Sequence, residues 1–147
     1  MHVGAQEMLD DLKNRGKRIA IFSTIDRPIF EPAIRHNSLD MIAEVCVAGT
    51  DVVHRKPHPA GILKALNDLK IPKDQYDSVV YIGDKDTDIQ AAHNAGVDAI
   101  LYYPAAHQLF YDLDTLKSHN PEFVITDWSE LLASEETDAD NRNKVLS

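Results

Sequence analysis

The chain has 147 residues, 44% of them hydrophobic and 27% charged, with a formal net charge of -9. This suits one globular domain with a sizeable core, and with Lys and Arg scattered it offers no basic footprint for nucleic acid or anionic membrane. The single cysteine excludes disulfides within the chain, and with no secretory signal or apolar run of spanning length the expected location is the cytoplasm.

Helix and strand signals alternate along the sequence. A first helix is predicted from about Gly4 to Asn14, with Met8, Leu9 and Leu12 inward and a stop before Gly16. The apolar run RIAIFST, Arg18 to Thr24, reads as a strand ending in two hydroxyls. Pro28 to His36 looks helical, and Glu44 to Ala48 is a short strand that carries Cys46 as a small core residue. A helix from Pro59 to Leu69 leads through Pro72 to the strand SVVYI, then to a helix bearing Asp88, Ile89, Ala92 and Ala95, and to a strand around Ile100. Leu109, Phe110, Leu113 and Leu116 recur at helical spacing, Phe123 to Ile125 is a strand, and Trp128, Leu131 and Leu132 mark a last helix. Such alternation predicts an α/β fold with a mainly parallel sheet covered by helices on both faces. Beyond Ser134 the run is polar and acidic, so residues 1–134 are expected to form the core domain and 135–147 a disordered tail.

The chemistry concentrates at strand ends. In SVVYIGDKDTDIQAAHNAG the apolar run stops at Gly83 and Asp84, and Asp88 follows four residues on. Open α/β sheets bind ligands just beyond the carboxyl ends of their strands. Two carboxylates placed there suit Mg²⁺, a cation that takes one or two of them and keeps several waters. Both acids also fit plain capping, Asp84 of a turn and Asp88 of the helix. Ser23 and Thr24 could hold a phosphate oxygen at another strand end, and Lys56 in RKPHP could present a compact positive charge to an anion. His58 beside it is expected on the surface, and the seven histidines show no metal-ligand spacing.

A strand-end hydroxyl at Ser23, Lys56 before Pro57 and Pro59, Gly83 with Asp84 and Asp88, then Ala91, Ala92, Ala95 and Gly96 come in an order that resembles the haloacid dehalogenase superfamily, and most of all its phosphoglycolate phosphatase group. The resemblance runs from about Val3 to Trp128. It implies a Mg²⁺-dependent phosphomonoester hydrolase on a Rossmann-like three-layer core. By the family's scheme Ser23 bonds the transferring phosphoryl with Thr24 beside it, Lys56 neutralises its charge, and Asp84 and Asp88 hold the metal. Phosphoryl transfer does depend mainly on positioning and on stabilising equatorial charge. The implied ligand is a small phosphorylated metabolite.

The family's attacking aspartate, in a DxDxT or DxDxV motif ending the first and central strand, has no counterpart before Gly4. Asp84, Asp86 and Thr87 imitate it, but Asp88 stands where Thr or Val is required. Asp112, Asp114 and Thr115 in LFYDLDTL come closer. They follow the strand near Ala99 to Tyr103 by too few residues for a parallel crossover, so a surface helix with its acids in water is expected. The central strand is therefore expected to be missing, with its slot closed up or filled, because buried backbone groups cannot stay unpaired. These readings leave a phosphatase core inactive as this isolated chain, a non-catalytic domain that binds Mg²⁺ or a phospho-ligand or docks to a partner, and a half-enzyme completed by a homodimer or another chain. A phospho-acceptor receiver domain is set aside because its acids precede its hydroxyl and Lys in sequence, the reverse of the order here.

Overall fold

A computed structural model describes residues 4–137 and 143–146. Its strands are β1 (Ile19–Phe22), β2 (Val45–Val47), β3 (Val79–Gly83), β4 (Asp98–Tyr102), β5 (Phe123–Ile125) and β6 (Asn143–Leu146). They form one sheet in the order β2-β1-β6-β3-β4-β5, and every neighbouring pair is parallel. The helices are α1 (Ala5–Asn14), α2 (Arg27–His36), α3 (Ala60–Asp68), α4 (Asp86–Ala95), α5 (Leu113–Lys117) and α6 (Trp128–Thr137).

Alternation along the strands divides the core into two layers. Ala20, Phe22, Val79, Tyr81, Ala99 and Leu101 face α3 and α4, where they meet Ile62, Leu66, Ile89 and Ala92. Ile19, Ile21, Val80, Ile82, Ile100 and Tyr102 face the other way, onto Met8, Leu12, Phe30, Ile34 and Leu131 of α1, α2 and α6. β1 and β3 are buried along their whole length. This explains why they read as continuous apolar runs rather than alternating ones.

The sequence expectations need correcting at two places. The helical spacing of Leu109, Phe110, Leu113 and Leu116 does not make one helix: a 3-10 stretch over Ala105–Leu109 is followed by α5, and Leu109 and Phe110 are 83% and 78% exposed. Leu116 alone of the four is buried.

The second correction concerns the acidic end of the chain. Instead of leaving the domain at Ser134, α6 runs on to Thr137 and Asn143–Leu146 enters the middle of the sheet as β6, parallel to both β1 and β3. The rest of the stretch read as a tail, 138–142 and 147, lies outside the described residues. Thus β1 and β3 do not close on each other. A strand-wide gap between two buried strands leaves their facing N–H and C=O groups without partners, and this demand outweighs the poor local strand signal of a polar segment.

Candidate phosphate and cation cleft

The carboxyl ends of β1 and β3 open into a cleft of about 410 Å³ whose walls include Ser23, Thr24, Lys56, Asp84 and Asp88. All five residues singled out in the sequence meet there. Each arrives by a different local device.

Asp88 lies in the first turn of α4 and is 2% exposed. Its Oδ2 accepts hydrogen bonds from the backbone N–H groups of Asp84 and Lys85, each at 3.0 Å. Its Oδ1 accepts from Lys56 Nζ at 2.5 Å, and the Tyr81 hydroxyl stands 3.4 Å away. Gly83 makes this fit possible. A Cβ there would lie 2.3 Å from the Asp88 Cβ and 2.6 Å from its Oδ2, closer than real side chains approach.

Lys56 is held on three sides. Besides Asp88 it donates to the Tyr81 hydroxyl at 3.0 Å, and its Nζ sits 5.0 Å above the centre of the Phe22 ring, within cation–π range. The Lys56–Pro57 peptide is cis, and the Pro57 carbonyl accepts from Asn94 Nδ2 at 3.0 Å, which ties this loop to α4.

Ser23 and Thr24 form the opposite wall. The Ser23 N–H donates to the Val47 carbonyl at 3.0 Å, and its Oγ accepts from the Ile25 N–H at 3.2 Å. A hydroxyl that accepts in this way still has its own proton to give to a phosphate oxygen. Gly49 permits the loop after β2 to close over Thr24, since a Cβ there would lie 2.2 Å from the Thr24 carbonyl oxygen. Next to it Arg27 braces α2 against this loop through Asp51, with Nε to Oδ1 at 2.8 Å, and through the Cys46 carbonyl at 3.1 Å. The Arg27 hydrogen bond, helped by the Ala48 N–H, holds the Asp51 carboxyl below its ordinary range.

The two acids expected to share a metal are not equivalent. Asp84 keeps a carboxylate 31% exposed at the cleft mouth, with His107 Nε2 3.9 Å from its Oδ2. Asp88 has both oxygens engaged by Lys56 and backbone donors. Among the described residues no three acids, histidines or cysteines gather as a metal cage. The donor set therefore fits Mg²⁺ held by one carboxylate, Asp84, with water and ligand oxygens completing the shell. Asp88 fits better as the group that fixes the turn presenting Asp84.

Arg55, Lys85 and Thr87 also line the cleft; the first two were not singled out in the sequence, and Thr87 only as part of the imitation motif. The signal available was adjacency, since Arg55 precedes Lys56 and Lys85 follows Asp84. His107 carried no signal, because only the sheet order brings the residues after β4 beside the end of β3. His58 is exposed, packs against the tilted ring of His54 with ring centres 4.4 Å apart, and accepts from the Ala60 N–H at 3.1 Å, away from the cleft. Asp112 caps α5, its carboxylate accepting from Thr115 N at 3.0 Å and Oγ1 at 2.7 Å. It is exposed and is not part of the cleft wall.

Comparison with known proteins gives the family and the fold. The haloacid dehalogenase-like hydrolase family profile matches residues 1–102, and the chain belongs to that family. A pyrophosphatase PpaX of Bacillus mycoides is 30% identical over 126 residues, covering 86% of this chain and 55% of its own length. Among solved structures, one described as a haloacid dehalogenase-like hydrolase of Bacteroides fragilis superposes with a TM-score of 0.78 at 27% identity, over 89% of this chain and 59% of that one. Another, described as a phosphoglycolate phosphatase of Lactobacillus delbrueckii subsp. bulgaricus, shares the fold with a TM-score of 0.77 at 21% identity, over 90% of this chain and 52% of that one. The chain spans about half the length of the curated relatives it matches.

Proposed function

We propose that this domain is the phosphate- and Mg²⁺-binding core of a phosphohydrolase, and that the isolated chain binds its ligand without turning it over. The observation that carries the reading is the convergence of Ser23, Lys56 and Asp84 on one cleft at the carboxyl ends of β1 and β3. A phosphoryl group seated there would accept hydrogen bonds from the Ser23 hydroxyl and, beside it, the hydroxyl of Thr24. Lys56 would set positive charge below it, and Mg²⁺ on Asp84 would supply Lewis-acid stabilisation of oxygen charge. The ligand class this favours is a small phosphorylated metabolite or, by likeness to the pyrophosphatase relatives, inorganic pyrophosphate.

Absence of turnover is proposed from the roles of the acids in the cleft wall. The acids in the cleft wall are Asp84 and Asp88, one assigned to the cation and the other engaged with Lys56. An attacking carboxylate in line with the phosphoryl group has no place among them. The occupation of the central slot by β6 favours a second reading, a binding domain with no hydrolytic role.

Calorimetry with inorganic phosphate and Mg²⁺, alongside hydrolysis of a generic aryl phosphate, tests the proposal. Mg²⁺-dependent binding lost in Asp84→Asn and Lys56→Gln, with no turnover above the Asp84→Asn background, is expected. Turnover abolished by Asp112→Asn would assign the nucleophile to LFYDLDTL, and no phosphate binding at all would end the phosphate reading.

A further inference from the structure

We infer that Arg55 and Lys85 form a second anion subsite on the rim of the cleft, so that it selects ligands carrying another anionic group close to the phosphoryl group. The inference rests on the phosphate reading above and goes beyond it in naming what sets ligand choice.

The argument is one of local charge. Among the described residues Lys56 is the one cation whose side chain is nearly buried in the cleft wall, and its charge is already matched by Asp88 at 2.5 Å, the two side chains being 10% and 3% exposed. A phosphoryl dianion entering beside this neutral pair meets the negative Asp84 as well. One Mg²⁺ on Asp84 leaves the cleft with a single net positive charge, too little for two anionic groups. The remaining positive charge in the lining comes from Arg55 and Lys85.

Both are available for this task. Arg55 pairs with Asp26 at 3.3 Å, but the side chains are 63% and 51% exposed, and such a pair is weak enough for a ligand to displace. Lys85 has an exposed side chain, and among the described residues no acid is in contact with its ammonium. Their backbones are fixed even though their side chains are not: Arg55 adjoins the anchored Lys56, and the Lys85 N–H is bonded to Asp88 at 3.0 Å. The subsite thus pairs a planar guanidinium fork, suited to two oxygens at once, with a point charge. A phosphate or a carboxylate one bridging atom away from the first group would satisfy it.

Calorimetry on the full chain with Mg²⁺ tests this, using inorganic phosphate, inorganic pyrophosphate and phosphonoacetate as probes. Pyrophosphate is expected to bind about tenfold or more tighter than phosphate, the scale of an added charge-assisted contact. Arg55→Gln with Lys85→Gln should remove that preference while phosphate affinity stays within about twofold, and Asp26→Asn, which releases Arg55, should enlarge the preference. Phosphonoacetate reports whether a carboxylate serves as the second group: affinity near that of pyrophosphate assigns the subsite to either anion, affinity near that of phosphate assigns it to a second phosphate, and both support it. Equal binding of phosphate and pyrophosphate, or a preference that survives the double variant, overturns the subsite and leaves the phosphate reading intact. Failure of phosphate itself to bind overturns both.

Discussion

Lys56 Nζ and Asp88 Oδ1 lie 2.5 Å apart beneath the cleft, joining the loop before α3 to the first turn of α4 with both side chains almost fully buried. The pair stands in a polar triangle with the Tyr81 hydroxyl and under the face of Phe22. Removing one member leaves the other charge buried and alone. Asp88→Ala is therefore expected to destabilise the domain by about 3–5 kcal/mol, read from urea denaturation. A double variant, Lys56→Met with Asp88→Leu, should cost clearly less than the sum of its single changes, because no orphaned charge remains. Additive costs would show that the two charges do not depend on each other.

Gly83→Ala should act through the same carboxylate. Its methyl group would fall 2.3 Å from the Asp88 Cβ, so Asp88 or the end of β3 must move. The expected loss is about 1–3 kcal/mol, typical of overpacking. Made in an Asp88→Gly background, which removes that Cβ as well as the carboxylate, the same change should cost much less. An equal cost in both backgrounds would place the strain elsewhere.

Acid should weaken the brace between α2 and the loop after β2. Arg27 depresses the Asp51 carboxyl, so below the ordinary value of 3.8 the unfolded state takes up the proton first and stability rises with pH in that interval. The contribution is complete above the ordinary value and disappears as pH falls through the lower folded-state value. Urea midpoints measured from about pH 6 down to about pH 3 should fall more steeply for the wild type than for Asp51→Asn. Parallel curves would remove Asp51 from the acid response.

Ending the chain at Thr137 would delete β6, which pairs with β1 on one side and β3 on the other. Both neighbours are buried along their full length, so the exposed ladders cannot simply turn to water. The truncated protein is expected to lose cooperative unfolding or to associate through the open slot, as seen by calorimetry and sedimentation. An unchanged melting curve in a monomer would show that the slot can close without a strand.

The candidate cleft was largely legible in the sequence because each part is a local pattern with a local cause. The apolar runs of β1 and β3 end at Phe22 and Gly83, and the residues just beyond a parallel strand must lie at the sheet's ligand-binding edge. Ser23, Thr24, Asp84 and Asp88 are thus placed together by their positions just beyond these strands, and Lys56 joins them through the order of the motifs.

Tertiary structure alone decided what those residues do to one another. That Asp88 is also engaged by Lys56 rather than offering a free oxygen depends on the loop before α3 meeting the first turn of α4, which no spacing in the chain encodes, whereas its bonds to the Asp84 and Lys85 N–H groups are the local cap the sequence suggests. That Arg55 and Lys85 share the cleft depends on two loops from distant parts of the chain meeting at one edge. The central strand is the sharpest case: Asn143–Leu146 carries little strand signal, and its place follows from the unpaired backbone of β1 and β3, a requirement that exists only once the sheet has formed.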